Sequence, residues 1–195
     1  MKKVKNVLLS GVGGQGIILA SKVLAIGLIE AGFDVKMSEV HGMAQRGGSV
    51  TTQVRFGEKV YSPIIGLGQA DIIVAFEKME GGKMLEYLKP DGKMVINDYK
   101  IPSAPILAGT IDYPTGIIEE IKSKVNDVTV VDGPALAKEV GNIKTMNIAI
   151  MGSLIKALDL DKIIDWEKVI AKVVKEKFIA VNVKAFNVGM AQVKK

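Results

Sequence analysis

The chain opens on a short apolar run, Val4-Lys5-Asn6-Val7-Leu8-Leu9, fit for a buried strand. Ser10-Gly11-Val12-Gly13-Gly14-Gln15-Gly16 follows at once, and residues 17–31 are then apolar over a helical length. In that helix only Ser21, Lys22 and Glu30 are strongly polar. A surface helix shows one apolar stripe, whereas a helix apolar almost all round is covered on several sides. That cover comes either from helices later in the chain or, in part, from another subunit.

Gly32 stops the helix, and residues 34–38 read as a second strand. Val50, Thr52, Val54 and Phe56 alternate with Thr51, Gln53 and Arg55, the pattern of a half-buried strand. Gly57-Glu58 then leads into Lys59-Val60-Tyr61, which predicts a hairpin where a simple dinucleotide fold would place a crossover helix. The continuous apolar run at residues 72–76 is a central strand ending at Glu77, and residues 79–88 read as a helix stopped by Pro90-Asp91-Gly92. Further strands are expected at 94–96 and 128–131, with irregular or edge structure over the proline-rich stretch 101–114. Asn97 and Asp132, at strand ends, read as helix caps. From Thr145 onward the pattern is helical, with segments at 146–158, 166–178 and 180–193. These elements predict an α/β fold in three layers, α/β/α, Rossmann-like, with a mixed sheet containing a hairpin and a helical C-terminus. One domain spanning residues 1–195 accounts for all of them.

Composition narrows the chemistry. At 195 residues and 48% hydrophobic, the chain has material for one compact core. No linker, low-complexity block or repeat interrupts it. Cysteine is absent, which excludes disulfides and any iron–sulfur cluster held by this chain's own thiolates. A single histidine argues against zinc, and no G-x-S-x-G elbow is present for a serine nucleophile. The Met1-Lys2-Lys3 start does not read as a signal peptide, because Lys5, Asn6 and the glycine loop break the apolar run. Nothing reads as a membrane span, so the cytoplasm is the expected location. A net charge of +5 from scattered lysines is a mild bias toward anionic partners and a poor nucleic-acid signature. Most methionines read as core filler, although Met43 is placed to meet an apolar ligand.

Two glycine-rich loops carry the candidate site. In the first, strand–loop–helix context gives G-x-G-x-x-G a physical meaning. Gly11 permits the tight turn, Gly13 lets backbone approach an anion, and Gly16 allows close helix–strand packing. Gly14 and Gln15 complete the loop. The second, Ser38-Glu39-Val40-His41-Gly42-Met43-Ala44-Gln45-Arg46-Gly47-Gly48-Ser49, holds the only histidine and one of two arginines. Arginine's planar fork suits phosphate or carboxylate in a way that lysine does not. Glu39 stands about 20 residues past the first loop, where a dinucleotide fold places its ribose-binding acid.

Taken together, the two loops resemble those of the gamma-type subunits of 2-oxoacid:ferredoxin oxidoreductases. The wording His41-Gly42-Met43-Ala44-Gln45-Arg46-Gly47-Gly48 is most similar to small subunits of the indolepyruvate type. The resemblance runs essentially the full length and includes Asn147, Gly152, Asn182, Ala185, Phe186 and Gly189. It implies oxidative decarboxylation of an aryl 2-oxoacid to an acyl-coenzyme A, with electrons passed to ferredoxin. Thiamine diphosphate and iron–sulfur clusters would sit in a larger partner subunit, with coenzyme A as co-substrate and no group bound covalently here. His41 would face the reacting centre. Arg46 and Gln45 would contact phosphate or carboxylate, beside the backbone of Gly11, Gly13, Gly14, Gln15, Gly16, Gly47, Gly48 and Ser49. Three alternatives stay open: a gamma subunit specific for pyruvate or another 2-oxoacid, a free-standing NAD(P)-binding reductase using Glu39, and a non-catalytic assembly subunit.

Overall fold

The computed structural model describes residues 3–41 and 47–194. In chain order it runs β1 (Lys5–Val12), α1 (Ile17–Glu30), β2 (Asp34–His41), β3 (Ser49–Gly57), β4 (Ala70–Ala75), α2 (Lys78–Lys83), β5 (Leu88–Asn97), α3 (Ala104–Leu107), α4 (Ile117–Lys124), β6 (Asp127–Val131), α5 (Gly133–Glu139), α6 (Met146–Ala157), α7 (Trp166–Val173) and α8 (Ile179–Met190). The strands form one sheet in the order β2-β3-β1-β4-β5-β6. β1, β4, β5 and β6 are parallel, while β3 runs antiparallel to both β1 and β2, so the sheet is mixed as expected.

The central strands are apolar on both faces because both are covered, and successive residues part to opposite sides. Val7, Leu9, Ile72, Val74 and Val95 join the larger core beneath α1 and α6. Leu8, Ile73, Ala75, Met94 and Ile96 face the smaller one, closed by Ile65, Ile121 and Val125. Three layers result. α6 and α7 lie against α1, which accounts for its nearly uniform apolarity. Gly27 makes room for Trp166, since a β-carbon there would lie 2.5 Å from the indole ring. Ile18 and Ile29 alone among the long apolar residues of α1 stay largely exposed.

Two local expectations are corrected, and one element is added. The hairpin joins β2 to β3, with Asp34 opposite Gly57 and His41 opposite Val50, while residues 59–61 form no strand. They run as irregular chain, with the Val60 N–H bonded to the Asp34 carboxylate at 2.8 Å. Pro90-Asp91-Gly92 does not end a helix before a separate strand. It bulges inside β5, where the ladder steps from Ala70–Leu88 to Ile72–Lys93. Residues 117–124, left unassigned by periodicity, form α4, which begins after Gly116 in the left-handed region and buries Ile121.

None of the helices among the described residues is long and apolar enough to cross a membrane.

Candidate functional site

β1 leads into α1 on one face of the sheet, whereas the neighbouring parallel strand β4 leads into α2 on the other. A crevice opens between the carboxyl ends of two adjacent strands whose connections part in this way, and ligands of open α/β sheets bind there. The first glycine loop lies at that point.

Its backbone is fixed from beneath by two amide side chains. Gln15 accepts a hydrogen bond from the Val12 N–H at 2.7 Å and donates to the Phe76 carbonyl at 2.7 Å. Asn97 donates to the same carbonyl at 3.0 Å and accepts from the Gly133 N–H at 2.9 Å. Gln15 and Asn97 thereby tie together the carboxyl ends of β1, β4, β5 and β6. Gly11 has no room for a side chain, because a β-carbon would sit 2.7–2.9 Å from Gln15, Ile17 and Phe76. Gly16 takes φ +79°, and a β-carbon there would also strike the Asn147 amide. The close approach expected at Gly16 is therefore to helix α6 and not to a strand. Asn147 donates to the Gly16 carbonyl at 3.0 Å, and its own buried carbonyl oxygen has no hydrogen-bond partner among the described residues.

The end of the second loop, Gly47-Gly48, pairs with the first. Gly13 donates its N–H to the Gly48 carbonyl at 2.8 Å, and Gly47 donates back to the Gly13 carbonyl at 3.3 Å. The donor expected to greet an anion at Gly13 is thus already engaged, which is a correction to the dinucleotide-like picture. Ser49 begins β3 and donates its hydroxyl to Glu80 at 2.5 Å. His41 ends β2; its side chain, together with Gln45 and Arg46, lies outside the described residues.

A cleft of about 340 Å³ opens beside these loops, lined by Val12, Gly13, Gly14, Gly16, Ile17, Ile18, Glu39 and Val50. Its walls are backbone and aliphatic side chains, with the Glu39 carboxylate as the one ionisable group among the described residues. Gly14, at φ +103°, bends the chain at the cleft wall. The first N–H groups of α1 lack intrahelical acceptors and give this end partial positive charge. Glu39 does share a cleft with the glycine loop, as a dinucleotide site requires. However, β3 is inserted between β1 and β2, and Gly47 and Gly48, just ahead of it, occupy the Gly13 backbone where a pyrophosphate would lie.

On the far side of the crevice sequence reading missed a buried acidic pair. Glu77 is fully buried directly after β4. Its carboxylate accepts from the Glu80 N–H at 2.9 Å, the Tyr113 hydroxyl at 2.5 Å and the Ile101 N–H at 3.2 Å. Burial, and then the hydrogen bond to the Glu77 carboxylate, push the Tyr113 phenol well above its ordinary pKa. The only sequence signal for this cluster is two glutamates at capping distance after an apolar strand.

These features define a three-layer, Rossmann-like α/β protein whose glycine loop at the switch point is paired with Gly47 and Gly48, just ahead of β3. Comparison with known proteins gives the same answer in finer grain. The chain belongs to the pyruvate ferredoxin/flavodoxin oxidoreductase family, whose model matches residues 6–192. It is 38% identical to indolepyruvate oxidoreductase subunit IorB of Thermococcus kodakarensis, over 98% of this chain and 97% of that one. Its fold matches the crystal structure of pyruvate oxidoreductase subunit PORC from Thermotoga maritima with a TM-score of 0.73 at 24% identity, covering 99% of this chain and 98% of that chain. It also matches 2-oxoglutarate:ferredoxin oxidoreductase from Magnetococcus marinus, a structure with 2-oxoglutarate, coenzyme A and succinyl-CoA bound. There the TM-score is 0.70 at 21% identity, over 98% of this chain and 31% of that chain. The resemblance drawn from the two loops, to gamma-type subunits of 2-oxoacid:ferredoxin oxidoreductases, therefore holds.

Proposed function

We propose that this chain is the small subunit of a thiamine-dependent 2-oxoacid:ferredoxin oxidoreductase acting on indolepyruvate or a related aryl 2-oxoacid. The product is an acyl-coenzyme A, and electrons pass to ferredoxin through a larger partner subunit. The observation that carries this reading is the pairing of Gly13 with Gly47 and Gly48, which joins the two family motifs into one site beside a partly apolar cleft. The extent of likeness to an indolepyruvate oxidoreductase subunit favours an aryl substrate over pyruvate.

This chain has no cysteine for an iron–sulfur cluster, and no cluster of three or more potential metal ligands among its described residues. In this reading the iron–sulfur clusters and thiamine diphosphate sit in the larger partner subunit, as the family resemblance implies. Thiamine supplies the electron sink for decarboxylation, and protein around it contributes binding and electrostatics. The share of this chain is positioning. Arg46 and Gln45 hold a phosphate or carboxylate of coenzyme A or the 2-oxoacid, His41 faces the reacting centre, and the glycine loop supplies close backbone approach. Val12, Ile17 and Val50 give the cleft an aliphatic wall.

The test is reconstitution. With the larger subunit present, indolepyruvate-dependent, coenzyme A-dependent dye reduction should require this chain, and either subunit alone should be inactive. Full activity from the larger subunit alone would overturn the proposal, and preference for pyruvate in the assembled enzyme would reassign the substrate. In the same assay, Gly13→Val should leave expression and assembly near normal but cut catalytic efficiency severely. A β-branched side chain there crowds the cleft that Gly13 lines, beside its pairing with Gly47 and Gly48. If the assembled variant keeps its activity, the first loop is a packing turn only.

A further inference from the structure

Glu80 lies in α2 and is only 3% exposed. A glutamate three residues after a helix cap ordinarily folds back to the cap's own N–H. Glu80 turns away instead and divides its two carboxylate oxygens between elements. One accepts from the Ser49 hydroxyl at 2.5 Å, the other from the Lys83 ammonium at 2.6 Å. A buried carboxylate is tolerated only when paired and hydrogen-bonded, so this arrangement is a committed one. Its own placement is equally fixed. Glu80 donates its N–H to buried Glu77, and Gly81 lets α2 press onto the sheet, where a β-carbon would lie 2.7 Å from that of Ala75.

Ser49 is the first residue of β3 and the last of the His-Gly-Met loop. That end of the loop is held on two sides, by Gly13 through Gly47 and Gly48, and by Glu80 through Ser49. We infer that Glu80 is a positioning residue: acting through the Ser49 hydroxyl, it fixes the Gly47-Gly48-Ser49 exit of the loop against Gly13, one to three residues along the sequence from Arg46. The inference rests on the function proposed above, in which Arg46 binds an anionic substrate group. Glu80 touches no substrate. It acts from the α2 side of the sheet on a loop that leaves the opposite edge of the crevice.

The test uses the full chain assembled with its larger subunit and compares Ser49→Ala, Glu80→Gln, the double variant and Ser49→Thr. Loss of a hydrogen bond to a charged acceptor is worth a factor of about ten at the low end. Ser49→Ala and Glu80→Gln should each raise, by about tenfold, the same KM that Arg46→Ala raises, with kcat changed much less. The double variant should be no worse than either single one, and Ser49→Thr, which keeps the hydroxyl, should restore the KM. Unchanged KM values in the assembled variants, effects that multiply in the double variant, or losses that follow assembly and not KM would each overturn the inference. If the wild-type complex shows no 2-oxoacid-dependent activity, it is the functional reading that fails. The positioning relation is then read from amide exchange in the full chain alone. Faster exchange at Gly47 in both Ser49→Ala and Glu80→Gln supports it, and unaltered exchange refutes it.

Discussion

Replacing Gly189 with alanine is expected to cost this protein more stability than any other single methyl group added to its core. α6 and α8 cross with backbone against backbone. A β-carbon at Gly189 would overlap the Ala149 carbonyl oxygen and lie 2.6 Å from its carbon. On the facing helix, a β-carbon at Gly152 would overlap the Phe186 carbonyl oxygen and lie 3.0 Å from the Met190 nitrogen. The obstacle in both cases is main chain, which cannot swing aside as a side chain does. Relief requires separating two helices that bury Ile148, Met151, Ala185 and Phe186. Overpacking typically costs about 1–3 kcal/mol, and a backbone obstacle puts this site at the upper end or beyond. For a chain of this size about 3 kcal/mol lowers the unfolding midpoint by roughly 10 °C. Ser153→Ala is the control, since it removes only the 2.7 Å hydrogen bond to the Gly189 carbonyl at the same crossing. Thermal denaturation of both variants checks the claim. A smaller shift for Gly189→Ala than for Ser153→Ala would mean that the helices do not approach this closely.

Those glycines illustrate what the sequence could and could not reveal. Gly152 and Gly189 were noticeable only through a family resemblance, because nothing in a helical pattern says that an interior glycine faces another helix. β1, α1, β4 and β6 were legible because continuous apolar runs and glycine punctuation are local signals. The alternation over residues 50–56 located β3 correctly, with its buried positions on the expected face. Its partner was misread because Gly57-Glu58 mimics a tight turn, while the true connection is the long loop taken for a site. Both readings of that loop are compatible: it joins β2 to β3, and it brings Gly48 onto Gly13. α4 escaped because it is short and starts from a glycine cap behind Pro114-Thr115. At the candidate site, the glycine loop and Glu39 fall together as their spacing predicts. Ser49 and Glu80 are joined across the top of the sheet from distant parts of the chain, and no periodicity encodes such a contact.

Arg46→Ala in the assembled enzyme is expected to weaken one anionic substrate by about 10- to 150-fold, the range that follows from losing a hydrogen bond worth roughly 1.5–3 kcal/mol to a charged group. The affected quantity should be the KM for coenzyme A or the 2-oxoacid, with thiamine dependence little altered, because the proposed function puts thiamine in the partner subunit. Arg46→Lys should recover only part of the loss, since an ammonium carries the charge but cannot reproduce a planar two-pronged donor. The loop's surroundings sharpen this expectation. Its exit is tied to Gly13 and Glu80, whereas Glu39 is the one described ionisable group on the cleft wall and repels an anion. An anionic group entering beside Glu39 therefore needs a cation close by, and Arg46 is the arginine the sequence places in that loop. The other arginine is committed elsewhere, donating to Asn6 at 2.8 Å and to the Ser62 carbonyl at 2.9 Å from Arg55. Steady-state kinetics with each substrate varied in turn decides the matter. If Arg46→Ala leaves every KM and the turnover number within about a factor of two, binding of the anion must be reassigned to the partner subunit or to lysines outside the loop.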